Sequence, residues 1–169
     1  MNILIVYATR GGASRFCAEL LRDKLKKRYE VTCVDIADAL DPSAFDVVVV
    51  GGSIRFERLD KRLKKYIKTH RKTLEQKESA FFLCCAFAVE WEDYADAQLP
   101  YRMQFSLGRY CFGGELKPEK ARGLDKFLIK RMRGHIRSRD FEEGDKNDHP
   151  LPELFPEHVS LLAEKIFSL

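Results

Sequence analysis

Asn2-Ile3-Leu4-Ile5-Val6-Tyr7-Ala8-Thr9-Arg10-Gly11-Gly12-Ala13-Ser14 is the stretch on which the fold turns. Residues 2–7 are a continuous apolar, β-branched run, the pattern of a strand buried on both faces of a parallel sheet. The residues after it are small, hydroxylated or glycine. Beyond them Phe16, Cys17, Leu20, Leu21 and Leu25 recur at helical spacing. Lys24, Lys26, Lys27 and Arg28 crowd the far end, where cations complement the helix dipole. Strand, loop and helix in that order open an α/β unit.

The rest of the chain repeats the alternation. Residues 30–35 read as a second strand, and Asp41-Pro42 opens a short helical turn. Phe45–Val50 is a third apolar run, ended by Gly51-Gly52. A strongly basic helix is predicted over 59–76, with Leu59, Leu63, Tyr66, Ile67 and Leu74 inward. Ala80–Ala88 is another strand-like run, 93–107 a helix interrupted by Pro100, and Tyr110–Phe112 a last strand before Gly113-Gly114. Pro156–Leu169 closes the chain as an amphipathic helix. Five strands alternating with helices predict an open parallel sheet covered on both faces.

Composition narrows the classes. The 169 residues suit one domain spanning 1–169, and 45% hydrophobic content argues against disorder. No apolar run approaches the ~20 residues needed to cross a bilayer. The first residues enter a strand with no basic, signal-like segment ahead of them, so the expectation is a cytoplasmic protein. Five cysteines without a CxxC suit neither a disulfide framework nor a zinc site, and no metal is expected. They read as small buried hydrophobes. His70, His135, His149 and His158 are scattered and read as surface residues. No nucleic-acid recognition motif is present.

Ligands of open α/β sheets bind at the carboxyl ends of the strands. Thr9, Gly11, Gly12 and Ser14 stand at such an end. Glycines let backbone approach an anion, hydroxyls and helix amides donate to it, and Arg10 adds charge. The loop is neither GxxxxGK[ST] nor GxGxxG. The same residues also suit a glycine turn with a Ser helix cap.

Two blocks make a family visible. Ile3–Ser14 resembles the flavodoxin signature, and Val47–Val50 followed by Gly51-Gly52-Ser53-Ile54-Arg55-Phe56 resembles the flavodoxin loop beside the isoalloxazine ring. Ser-Ile-Arg plus an aromatic, the Ser79-Ala80-Phe81-Phe82 strand and the Phe127-Leu128-Ile129-Lys130 segment are similar to the menaquinone-dependent protoporphyrinogen oxidase branch. The resemblance implies a flavodoxin-like three-layer α/β sandwich with strand order 2-1-3-4-5, and FMN as cofactor. It implies that Thr9, Arg10, Gly11, Gly12, Ala13 and Ser14 hold the phosphate. Ser53, Ile54 and Arg55 would approach the ring from one side. Cys85, Ala86, Phe87, Ala88 and Trp91 would approach from the other, with Phe87 and Trp91 stacking, or else packing in the core, and Glu90 near the pyrimidine edge. No general acid or base stands out, and the flavin would carry the chemistry.

Two departures are visible. Ala8 and Ala13 stand where the family often has side-chain donors, and the ring loop lacks the glycine that classical flavodoxins carry at its tip. Residues 117–139 hold nine Lys or Arg against Glu119 and Asp125, and so +7 of a chain whose net is +4. This basic insertion after the fifth strand, within 117–150, suggests a helix packed on the core or one facing anionic lipid or substrate carboxylates. Arg55, Lys126, Lys130, Arg131 and Arg133 are the candidates for substrate or membrane contact. The resemblance implies an FMN oxidoreductase passing electrons from a porphyrinogen-like substrate to a quinone, peripheral at the membrane's inner face if it meets one. The alternative is a flavodoxin-type carrier serving redox proteins. A flavodoxin-like domain without FMN, acting as an interaction module, is a third.

Overall fold

Ile3, Leu4, Ile5 and Val6 are wholly inaccessible to solvent, because the strand that carries them, β1 (Asn2–Ala8), is paired on both edges and covered on both faces. The computed structural model describes residues 1–55, 58–86, 88–114 and 153–169. β2 (Glu30–Asp35), β3 (Val47–Ser53), β4 (Glu78–Cys84) and β5 (Gly108–Cys111) complete a parallel sheet in the order β2-β1-β3-β4-β5. That is the order the resemblance implies.

Alternation along the central strands divides the core into two layers. Ile3, Ile5, Val47 and Val49 face α1 (Ala13–Leu25) and α5 (Pro156–Phe167), packing with Cys17, Leu21, Val159, Leu162 and Ile166. Leu4, Val6, Val48 and Val50 face α2 (Lys61–Thr69), α3 (Arg71–Gln76) and α4 (Trp91–Gln98), with Leu63, Ile67, Leu74 and Ala95 opposite. Each such aliphatic side chain contributes about 1.5–3 kcal/mol relative to exposure.

The structure departs from the sequence expectations where packing decides. The expected helix over 59–76 is two helices, broken at His70. The helix expected over 93–107 ends at Gln98, because Leu99 precedes Pro100 and takes an extended conformation. The fourth strand stops at Cys84, which leaves Cys85–Ala88 out of the sheet. The third strand does not end at Gly51-Gly52 but runs through them to Ser53. A side chain at Gly51 would overlap the Phe82 ring, and one at Gly52 would press on Leu63 of α2 and the Ala8 carbonyl. Those glycines serve close packing rather than chain reversal.

All five cysteines are free, four of them buried and Cys33 half-buried on the edge strand β2. Two histidines are not plain surface residues. His158 is half-buried with Nδ1 2.6 Å from the Cys111 carbonyl, and His70 packs on the Tyr66 ring. Among the described residues no helix is long and apolar enough to cross a membrane.

Replacing Gly51 with Ala forces a methyl group against a buried aromatic ring. It is expected to cost about 1–3 kcal/mol, read as a lower denaturant midpoint with an unchanged slope in urea unfolding.

Candidate functional site

Parallel register brings the carboxyl ends of three strands side by side. Ala8 pairs with Gly52, and Ser53 with Cys84. The segments that follow β1, β3 and β4 therefore leave one edge of the sheet together. They contain the residues the sequence singled out.

The first segment turns tightly into α1. Gly12 has φ +92° and is the residue before the helix; its amide donates to Thr9 Oγ1 at 3.0 Å. A left-handed φ there favours glycine. Gly11 and Gly12 border open space. Ser14 is not the helix cap, since the residue at that place is Gly12 and no side chain caps the helix. Ser14 lies instead in the first turn of α1, wholly buried, and its Oγ has no hydrogen-bond partner. A buried hydroxyl left unpaired costs about 1–3 kcal/mol. Here it sits beside the first-turn amides of a helix, where an anion would satisfy both. Arg10 is exposed at the rim.

The second segment is a tight reversal. The Ile54 amide donates to the Cys84 carbonyl at 3.0 Å, and Arg55 and Arg58 exchange two backbone hydrogen bonds at 3.0 Å each. This places Ile54, half-buried on the core, and Arg55 beside the end of β4. Asp60 then caps α2, accepting the Arg62 amide at 2.8 Å and the Arg62 guanidinium at 3.0 Å. The Arg62 hydrogen bonds hold the Asp60 carboxyl below its ordinary value, although partial burial opposes them.

The third segment is gripped from below. The Cys85 amide donates to the Gly113 carbonyl at 2.8 Å, and a side chain at Gly114 would overlap the Cys85–Ala86 peptide. Ala86 and Ala88 are half-buried, Val89 and Glu90 are exposed, and Trp91 begins α4 half-buried against the core. Glu90 accepts a long hydrogen bond from the Tyr94 hydroxyl at 3.3 Å. Phe56 and Phe87 lie outside the described residues, as do Lys126, Lys130, Arg131, Arg133 and the whole of 117–139.

The sequence showed Gly113-Gly114 only as the end of a strand. In the structure Gly113 (φ +70°) bridges antiparallel to Leu154, and the Gly114 amide donates to the Glu153 carbonyl at 3.0 Å. The chain thus departs after Gly114 and returns at Glu153 directly beside the third segment. Glycine pairs beside a distant extended residue carry no local signal of such a closure.

Beneath the site lies a thiol pair. The Cys84 thiol, hydrogen-bonded to Cys17 and fully buried, is pushed above its ordinary value by that contact and by burial, with the neighbouring Ser14 hydroxyl acting weakly against them. It remains protonated and serves as packing. Among the described residues no cluster suits a metal ion.

Comparison with known proteins bears on the family and the fold. A family model described as a flavodoxin domain matches residues 4–142. A curated relative from Escherichia coli strain K12, "Protoporphyrinogen IX dehydrogenase [quinone]", is 26% identical over 140 residues, covering 77% of each chain. Among solved structures, the two-electron reduced flavodoxin of Megasphaera elsdenii superposes with a TM-score of 0.52 at 16% identity, covering 78% of this chain and 98% of the other. A short-chain flavodoxin associated with a bacterial microcompartment gives 0.52 at 18% identity, over 82% and 98%. At those identities the two structures bear on the fold alone.

Asp60→Ala removes the cap of α2 and is expected to cost about 1 kcal/mol near neutral pH. Because the folded carboxyl lies below its ordinary value of 3.8, its stabilisation is present above that value and is lost as pH falls through the lower folded one. Thermal melts of the two proteins should therefore differ at pH 7 and converge in acid.

Proposed function

The chain belongs to the flavodoxin domain family, and on that premise we propose that it binds FMN and works as an oxidoreductase, taking electrons from a reduced organic substrate of the protoporphyrinogen IX type and passing them to a quinone. The observation that carries the cofactor is the buried Ser14 Oγ at the first turn of α1, which makes no hydrogen bond of good geometry and has only the Cys84 thiol, a weak partner, beside it. What supports the reaction is the likeness to the Escherichia coli dehydrogenase over 77% of both chains.

The residues present fit the group. The backbone of Arg10, Gly11 and Ala13, the Thr9 hydroxyl proton and Ser14 Oγ would hold the phosphate. What supports this is their place at the start of α1 and the open space beside Gly11 and Gly12. Ser53, Ile54 and Arg55 would flank the ring on one side, and Cys85, Ala86, Ala88 and Trp91 on the other. Bound there, FMN would supply the two-electron chemistry that no side chain of this site provides. Ile54 and Trp91 exclude water with apolar surface. Arg55 offers a cation to a substrate carboxylate at the rim. The exposed Val89 gives an apolar substrate edge a place to rest.

A visible spectrum with added FMN tests the cofactor, and a protein that stays colourless overturns the reading. Ser14→Ala should raise the dissociation constant for FMN about tenfold or more, the size of one hydrogen bond to a charged acceptor. It should leave the stability of the flavin-free protein unchanged or improved, because the lost hydroxyl was unpaired. Anaerobic addition of protoporphyrinogen IX and a menaquinone analogue should produce porphyrin fluorescence. A yellow protein that yields none is a flavodoxin-type carrier instead.

A further inference from the structure

Residues 58–76, which include the whole of α2 and α3, hold eight Lys or Arg against two acids, Asp60 and Glu75, each of which is paired with an arginine, Arg62 and Arg71. Helical spacing sorts them. Leu63, Tyr66 and Ile67 of α2 and Leu74 of α3 face the core, while Lys61, Lys65, Lys68 and Lys72 stand at intervals of 4, 3 and 4 and are all exposed. His70, with φ −100° and ψ 17°, joins the two helices, so the stripe continues across the break. Among the described residues no carboxylate meets these four lysines.

Like charges three and four residues apart oppose helix formation. Pairs with acids relieve this elsewhere. On α1, Arg15 is paired with Glu19 at 2.9 Å and Lys26 with Asp23 at 2.8 Å. These four lysines make no ion pair among the described residues.

Two apolar groups border the stripe, one from each side of the sheet order. Leu40, from the connection after β2, is 44% exposed and its carbonyl accepts the Tyr66 hydroxyl at 2.8 Å. Tyr101, from the connection before β5, is 78% exposed, and its carbonyl accepts from the Arg71 guanidinium at 3.1 Å. The Arg102 guanidinium lies 5.0 Å over the Tyr101 ring, and Arg102 holds a φ of +57°. A non-glycine residue in that left-handed region is uncommon. Cations with long apolar stems, flanked by a tyrosine and a leucine, match an anionic bilayer surface: phosphates for the lysines, the headgroup boundary for the ring.

We propose that the exposed face of α2 and α3, with Leu40 and Tyr101 at its borders, docks this protein on anionic phospholipid. The stripe starts directly after the Arg55–Arg58 reversal, so docking brings the candidate site to the membrane. The bilayer is where a lipid-soluble quinone resides, and in that respect the proposal rests on the function above; the vesicle measurement reads no flavin, so the two can fail separately.

Cosedimentation of the full chain with phosphatidylcholine vesicles, with and without phosphatidylserine, tests it. The protein should pellet only with the anionic vesicles and be released by salt. Lys61→Gln, Lys65→Gln, Lys68→Gln and Lys72→Gln should each lower partitioning about fivefold, and the quadruple variant should remain in the supernatant with an unchanged thermal midpoint. Tyr101→Ala should weaken binding without changing its salt dependence. A quadruple variant that binds like the wild type overturns the proposal and assigns lipid contact to 117–139. So does wild-type protein that ignores anionic vesicles, or one that binds an acidic ferredoxin in their place.

Discussion

The parallel pairing of β1 with β3 and β3 with β4 is the constraint on which the candidate site depends. Its register sets Ala8 against Gly52 and Ser53 against Cys84. Three segments far apart in sequence thereby emerge together. The pairing holds because the central strands present apolar side chains to helical layers on both faces, and a slip by one residue would exchange the two faces. At the carboxyl edge the strands need unusual closeness. Gly51 lets the Phe82 ring lie on β3, and Gly52 lets Leu63 of α2 approach the same strand. The site is therefore positioned by packing beneath it as much as by its own loops.

Around that edge the protein places polar capacity it does not use internally. The Ser14 hydroxyl has no partner, and α1 begins without a side-chain cap. By contrast, α2 is capped by Asp60, and the turns at Asp35 and Asp41 are each closed by a carboxylate accepting a backbone amide. The helices beginning at Arg71, Trp91 and Pro156 also start without a side-chain cap, so what sets the start of α1 apart is the buried Ser14 hydroxyl in its first turn. The same contrast holds for charge: α1 pairs its acids with Arg15 and Lys26, whereas Glu75 of α3 is taken by Arg71 and leaves Lys61, Lys65, Lys68 and Lys72 without a carboxylate among the described residues.

Much of this architecture was legible from the residues alone. The β-branched run at Ile3–Val6 can only be a doubly covered strand, and the helical spacing of Cys17, Leu21 and Leu25 identifies the layer above it. The Thr9–Ser14 loop is a candidate because glycine and hydroxyl residues at a strand end carry a local signal, whereas the segment after the third strand is singled out by its resemblance to the flavodoxin ring loop. The basic character of 117–139 was legible too, but it lies outside the described residues. The cationic stripe on α2 and α3 is visible as composition and acquires meaning only once Asp60 and Glu75 are seen to pair with Arg62 and Arg71 rather than with its four lysines.

Sequence by itself determined the alternation of strand and helix, the two-faced burial of the sheet and the chemistry available at its carboxyl edge. These follow from periodicity and residue type, which act over a few neighbours. Tertiary structure alone decided that Gly51 and Gly52 lie inside a strand and that Ser14 is buried and unpaired rather than a cap. It also decided that Gly113 and Gly114 close against Glu153 and Leu154 beside the Cys85–Ala86 peptide. Each of these depends on an atom tens of residues away in the chain, whether an aromatic ring, a thiol or a carbonyl, and no local pattern encodes where such an atom will be.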